Sequence, residues 1–229
     1  MSEVKRILLV GATGLVGMEV MRRAVTCPHV RIVALARREV PLPRGARMEM
    51  LVADIDYWAD AIATIQPDAV ICALGTTWAA AGESEADFRL VDQDLVLLVA
   101  RAARAAGAER FVFVSSVGAA LSAKTFYLRV KGEVEQALGK VGFRRLDFLQ
   151  PGLLRGKRTG EPRVMERLAM LFSPITDLFL QGQWRRYRSA SAKTVACAAI
   201  EAVLGKHNGR FSHEHDDITR LARQLEDRG

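Results

Sequence analysis

Gly11-Ala12-Thr13-Gly14-Leu15-Val16-Gly17 follows without a break on the apolar run from Val4 to Val10, and Leu15 to Val25 then carries helical periodicity. A short apolar run that ends in glycine reads as a strand buried on both faces. Glycines at three-residue steps between such a strand and a helix let the backbone turn tightly. They also keep side chains away from the first helical turn, where free N–H groups and the positive end of the helix dipole favour an anion. The spacing is G-x-x-G-x-x-G, not the G-x-G-x-x-G of many dehydrogenases. At the first strand of a β-α-β pattern it predicts a dinucleotide pyrophosphate cradle made by Gly11, Thr13, Gly14, Leu15, Val16 and Gly17.

Outward from this turn the same rhythm repeats. Val30 to Ala36, Arg47 to Val52, Ala69 to Leu74, Phe111 to Val114 and Arg145 to Leu149 read as further strands. Helices are expected over Leu15 to Val25, Tyr57 to Ile65, Ser84 to Ala106 and Phe126 to Leu138, with Pro67 and Gly107 as stops. Strands alternating with helices make right-handed crossovers and a parallel sheet. The expected fold class is α/β, a Rossmann-type doubly wound parallel sheet with a small C-terminal substrate-side extension. Residues 1–229 are read as one domain, with 1–150 the nucleotide-binding core and 151–229 the extension, because the rhythm breaks at Pro151-Gly152. Arg163 to Phe172 and Ala192 to Leu204 look helical, and Asp216 to Arg228 reads as a charged surface helix.

The chain is 50% hydrophobic and 26% charged over 229 residues, a globular balance with enough apolar material for a sizeable core. No apolar run reaches the roughly 18 residues that span a bilayer, and no secretory leader is visible at Met1 to Arg6, so no membrane partner is expected. Cys27, Cys72 and Cys197 are scattered and odd in number, as reduced thiols of a cytoplasmic protein would be. The net charge is +7. The arginines come as separate pairs, Arg22-Arg23, Arg37-Arg38, Arg144-Arg145 and Arg185-Arg186, without an aromatic-interleaved stripe or zinc-finger spacing. Nucleic acid is therefore not the expected partner.

The end of the second strand, Ala34-Leu35-Ala36-Arg37-Arg38, tests the cofactor. An acidic residue there holds the 2′-hydroxyl of NAD, whereas an arginine accommodates the 2′-phosphate of NADP. Arg37 is the candidate for that phosphate, with Arg38 stacking or pairing beside it. The expected cofactor is NADP (NADPH).

Tyr127 and Lys131 stand four apart on an expected helix and share a face. An ammonium beside a phenol favours its ionised form, and such a tyrosine exchanges a proton with a carbonyl or alcohol. Lysine can also bond the nicotinamide ribose. Ser115 and Ser116, at the end of the fifth strand, offer a hydroxyl to orient the substrate oxygen.

The residues Gly11, Gly14, Gly17, Ser116, Tyr127, Lys131 and the Pro151-Gly152 turn resemble the short-chain dehydrogenase/reductase superfamily in its extended or atypical branch. Cys72-Ala73-Leu74-Gly75-Thr76-Thr77, Val91-Asp92-Gln93-Asp94 and Tyr127-Leu128-Arg129-Val130-Lys131-Gly132-Glu133-Val134-Glu135 are similar to the Tat-interacting oxidoreductase-like group within it. The likeness covers roughly the first 175 residues. It implies NADP(H) in a Rossmann fold and Ser116, Tyr127 and Lys131 as the catalytic set, Ser116 before Ser115. It further implies an adenine contact near Asp54, nicotinamide-side contacts from Leu74, Gly75 and Thr76, and a cofactor-side place for Pro151. Gln150 departs from it, standing where many relatives carry arginine.

Hydride transfer to or from a small carbonyl or alcohol substrate is the expected activity, in a monomer or homodimer. A regulatory protein that binds NADPH as a redox signal would share the cradle but has no need of a matched Ser-Tyr-Lys set. His213-Glu214-His215 is read as a solvated turn, not a metal site. Trp58, Trp78 and Trp184 are candidates to line a cavity, Trp78 foremost. Asp92 and Asp94 are read as local caps or pairs, and Met165, Met170 and Phe172 as an apolar helix face.

Overall fold

The computed structural model describes residues 4–156 and 181–228. Its strands are β1 (Lys5–Val10), β2 (Val30–Ala36), β3 (Glu49–Val52), β4 (Ala69–Cys72), β5 (Arg110–Val114), β6 (Arg145–Leu149), β7 (Leu154–Arg155), β8 (Ala190–Ser191) and β9 (Gly209–His213). Seven pair in parallel in the order β3-β2-β1-β4-β5-β6-β9, while β7 and β8 form a separate two-stranded ladder. Apolar runs such as Ile7 to Val10 and Ala69 to Cys72 are buried throughout, as strands covered on both faces must be.

Register brings the functional loops to one edge. Val10 lies opposite Leu35 on one side and Cys72 on the other, Cys72 opposite Phe113, and Val114 opposite Leu149. The segments after β1, β2, β4, β5 and β6 therefore leave the same carboxyl edge. Strand order reverses between β1 and β4, where a crevice opens in such sheets.

Two helical layers cover the sheet. One is built on α2 (Trp58–Ile65), α4 (Leu95–Ala105) and α5 (Phe126–Leu138), the other on α1 (Leu15–Ala24), α6 (Ala192–Leu204) and α7 (His215–Glu226). Residues 190–226 thus do more than extend over the substrate side. They supply two of the three helices of the second layer, and the seventh strand, Gly209–His213, which the sequence reading missed. The tail helix is not wholly a surface element, because Ile218, Leu221, Ala222 and Leu225 bury one face of it. The expected helix over Ser84 to Ala106 is also interrupted. It runs as α3 (Glu85–Arg89), one π-helical turn at Leu90–Asp94, and α4. The helix expected over Arg163 to Phe172 lies outside the described residues.

Candidate active site

The glycine turn is built by close backbone approach. Gly11 adopts φ +83°, and a Cβ there would stand 2.4 Å from the Ala73 carbonyl oxygen, so β1 and β4 converge only because residue 11 lacks a side chain. A Cβ on Gly17 would come within 2.2 Å of the Gly11 carbonyl oxygen. Gly14 differs: its absent Cβ would meet only the Gly11 oxygen at 3.2 Å and the Ala73 oxygen at 3.9 Å. Gly14 caps α1 without a side-chain hydrogen bond, so the first-turn N–H groups of Leu15 and Val16 have no capping side chain over them. These features fit a phosphate group.

Above the turn lies a cavity of about 380 Å³ lined by Gly11 to Gly14, Leu35 to Arg38, Trp58, Ala73 to Gly75, Val91 and Leu95. Gly11, Thr13, Gly14, Arg37, Arg38, Leu74 and Gly75, read from scattered positions, thus share one cavity. Trp58, whose indole N–H donates to the Ala53 carbonyl at 3.0 Å, belongs to this wall. Leu15 packs near Gly156, and Val16 is buried in the core. Asp54 is exposed at the start of a 3-10 turn and is not among the lining residues. Pro151 is buried, with its carbonyl accepting from the Val117 N–H.

Helix α5 carries the expected pair. Tyr127 is 39% exposed, its ring edge-on to Phe88 with centroids 5.8 Å apart. Lys131, one turn on, is only 2% exposed and places Nζ 2.9 Å from Asp92 Oδ1 and 4.7 Å from the centre of the Phe113 ring. Burial pushes its pKa down, but the Asp92 carboxylate, with a further contribution from Tyr127, more than offsets this and holds it above the usual lysine value. Asp92 Oδ2 accepts from the Thr76 N–H at 2.7 Å. A Cβ at Gly75 would lie 3.5 Å from Asp92 Oδ1 and 3.8 Å from Lys131 Nζ, so the ion pair borders the loop that lines the cavity. Asp92 was read as a local cap or pair, and its pairing with the distant Lys131 was missed. The available signal was a carboxylate on the apolar stripe Phe88, Leu95, Val96 and Val99.

The two serines diverge. Ser115 is buried and donates to Glu135 Oε1 at 2.5 Å, and Gln150 Nε2 donates to the same carboxylate at 2.8 and 3.1 Å. Ser116 is half-buried, and among the described residues its hydroxyl has only a 3.5 Å contact to the Val117 carbonyl. Cys72 is fully buried, and burial pushes its thiol up to about 12, which favours the neutral thiol over the reactive thiolate.

His213 is a core residue here and not part of a solvated turn. Its Nε2 lies 2.8 Å from Asp147 Oδ1, and Asp147 also takes Arg145 at 2.7 and 2.9 Å, tying edge strand β9 to β6. Trp78 packs edge-on to Phe126 at 5.5 Å near α5, whereas Trp184 is exposed beside Tyr187. Met165, Met170 and Phe172 lie outside the described residues. Among the described residues no helix is long and apolar enough to cross a membrane.

Residues 11–171 match the model of a family described as NAD(P)H-binding. The chain is 32% identical to "Protein fmp52, mitochondrial" of Emericella nidulans over 87% of its own length and 89% of that protein. It is 37% identical to the Saccharomyces cerevisiae protein of the same name over 66% of the chain and 67% of that protein. These names overturn the cytoplasmic expectation and point to mitochondria. In structure the chain resembles a UDP-glucose 4-epimerase of Brucella ovis solved with NAD, with a TM-score of 0.68 and 15% identity over 95% of this chain and 81% of that one. It also resembles a Bacillus halodurans protein named as an NAD-dependent epimerase/dehydratase, with a TM-score of 0.66 and 23% identity over 96% of this chain and 99% of that one. The shared feature is the Rossmann-like fold.

Proposed function

The chain belongs to the NAD(P)H-binding family, and from that premise we propose that it is an NADP(H)-dependent oxidoreductase of the short-chain dehydrogenase/reductase type, close to the Tat-interacting oxidoreductase-like group. The observation that carries the reading is the continuity of two independent features. The loop Ala73 to Gly75 lines the same cavity as the glycine turn and Arg37, and at Gly75 it borders the buried ammonium of Lys131.

In this reading the N–H groups of Leu15 and Val16 face the pyrophosphate, with Gly14 admitting it. Arg37 and Arg38 face the 2′-phosphate, which selects NADPH over NADH. The bound nicotinamide supplies or accepts a hydride. Ser116 donates a hydrogen bond to the substrate oxygen, Tyr127 exchanges a proton with it through the phenol hydroxyl, and Lys131 stabilises the ionised phenol and holds the ribose. Ser115 is spent on Glu135 and takes no part. The substrate is a small carbonyl or alcohol compound.

Fluorescence titration with NADPH and NADH, on the intact protein and on Arg37→Ala, tests the proposal. A preference for NADPH that disappears in the variant supports it. Binding of neither nucleotide makes the glycine turn purely structural and removes the proposal.

A further inference from the structure

We propose that Asp92 is the positioning residue of this site: it holds the Lys131 ammonium in place and ties it to the loop that borders the cofactor cavity. The ion pair stands on geometry alone, while its service to a cofactor rests on the function proposed above.

The position of Asp92 is costly. It has no exposed surface, and the same helical stretch buries Phe88, Leu95, Val96 and Val99 in the core. A lone carboxylate there would pay a large desolvation penalty, and so would a lone ammonium at Lys131. The fold gives each of them the other. Oδ1 faces Nζ at 2.9 Å across the ion pair, while Oδ2 takes the backbone N–H of Thr76 at 2.7 Å. Asp92 thereby joins three elements: its own helical segment, helix α5 and the β4 loop.

Local backbone geometry marks the same residue. The helix abandons α-helical hydrogen bonding over Leu90–Asp94 and resumes it at Leu95. A π turn packs an extra residue into one turn and rotates the faces before and after it, a device found often at functional sites. Here it surrounds the one carboxylate of this segment that is buried. Gly75 completes the arrangement. It is exposed and carries no side chain, so the flank of the ion pair towards the cavity loop is left open. A cation with a permanent counterion and one open flank is suited to hold a hydroxyl group of a ligand in a fixed place.

The first test uses nucleotide-free protein, so it reads the ion pair whether or not a cofactor binds. The Lys131 side-chain resonance is followed by NMR against pH and assigned by its loss in Lys131→Met. In the natural protein it stays protonated past the ordinary lysine pKa of about 10.4. In Asp92→Asn burial is opposed only by the smaller effects of Tyr127 and Cys72, and the titration falls by about 1 pH unit or more. An unchanged titration overturns the proposal. Thermal unfolding covers the case in which Asp92→Asn folds poorly. The double variant Asp92→Asn/Lys131→Met leaves no lone charge and regains most of the Tm lost by the single variants. Losses that simply add, or a double variant that also fails to fold, overturn the proposal.

The cofactor-side role is read separately, by NADPH titration. Asp92→Asn weakens NADPH about tenfold, and Asp92→Glu recovers part of the loss. Equal affinity in the natural protein and Asp92→Asn overturns the positioning role and leaves the cofactor reading intact. If the natural protein binds no NADPH, the proposed function falls and takes that role with it, while the ion pair is still judged by the titration of Lys131.

Discussion

Ser115 donates its hydroxyl to Glu135 Oε1 at 2.5 Å, which binds the end of β5 to the middle of α5. The contact explains why two adjacent serines have different fates, since the neighbour held by a buried carboxylate is not free to meet a substrate.

Burial raises the pKa of Glu135, against the lowering effect of its bonds from Ser115 and Gln150. A carboxyl whose native pKa lies above its unfolded value binds its proton more tightly in the fold. Its contribution to stability is complete below the unfolded pKa and is lost as pH rises through the native one. Glu135→Gln removes that loss. Urea unfolding from pH 4 to pH 8 should show the stability of the variant, relative to the natural protein, increasing with pH. A stability of the variant that falls relative to the natural protein as pH rises contradicts the assignment.

The glycines of the turn separate by role. Gly17→Ala forces a Cβ to within 2.2 Å of a carbonyl oxygen and should cost about 3 kcal/mol in urea unfolding. Gly11→Ala adds the strain of a positive φ and should be at least as harmful. Gly14→Ala meets a far milder contact and should cost about 1 kcal/mol, yet weaken NADPH about tenfold, because the methyl group enters the phosphate side of the turn. Similar stability losses at all three positions would make the turn structural throughout.

Arg37→Ala should weaken NADPH by about 10- to 100-fold, the range for a charge-assisted bond to phosphate, and leave NADH almost unchanged. Equal losses for both nucleotides would place Arg37 on a group that they share.

Tyr127→Phe should reduce turnover by about 10²- to 10⁴-fold while NADPH affinity stays within about twofold of the natural protein. The readout is NADPH oxidation against a panel of aldehydes and ketones. Full activity in the variant removes Tyr127 from the mechanism.

Much of this was legible because it is local. The strand bounds Val30–Ala36 and Arg145–Leu149 and the helix bounds Phe126–Leu138 agree between sequence and structure, because apolar runs and helical spacing are short-range signals. Strand β9 was not legible. Gly209-Arg210-Phe211-Ser212-His213 has one large apolar residue, as suits an edge strand half open to solvent. The π turn left no mark either, because Ser84 to Ala106 is compatible with an unbroken helix.

The sequence by itself determined the alternation of strands and helices from β1 to β6, the glycine turn at the end of β1, and the placing of Tyr127 and Lys131 on one helical face. Each of these depends on neighbours within a few residues. Only the tertiary structure decided that Ser115 and not Ser116 is taken by Glu135, that Trp58 lines the cavity beside the glycine turn, and that Lys131 is paired with Asp92. A buried charge needs a counterion, and which residue supplies it depends on how the helices pack across the sheet, a relation that no spacing along one chain segment contains.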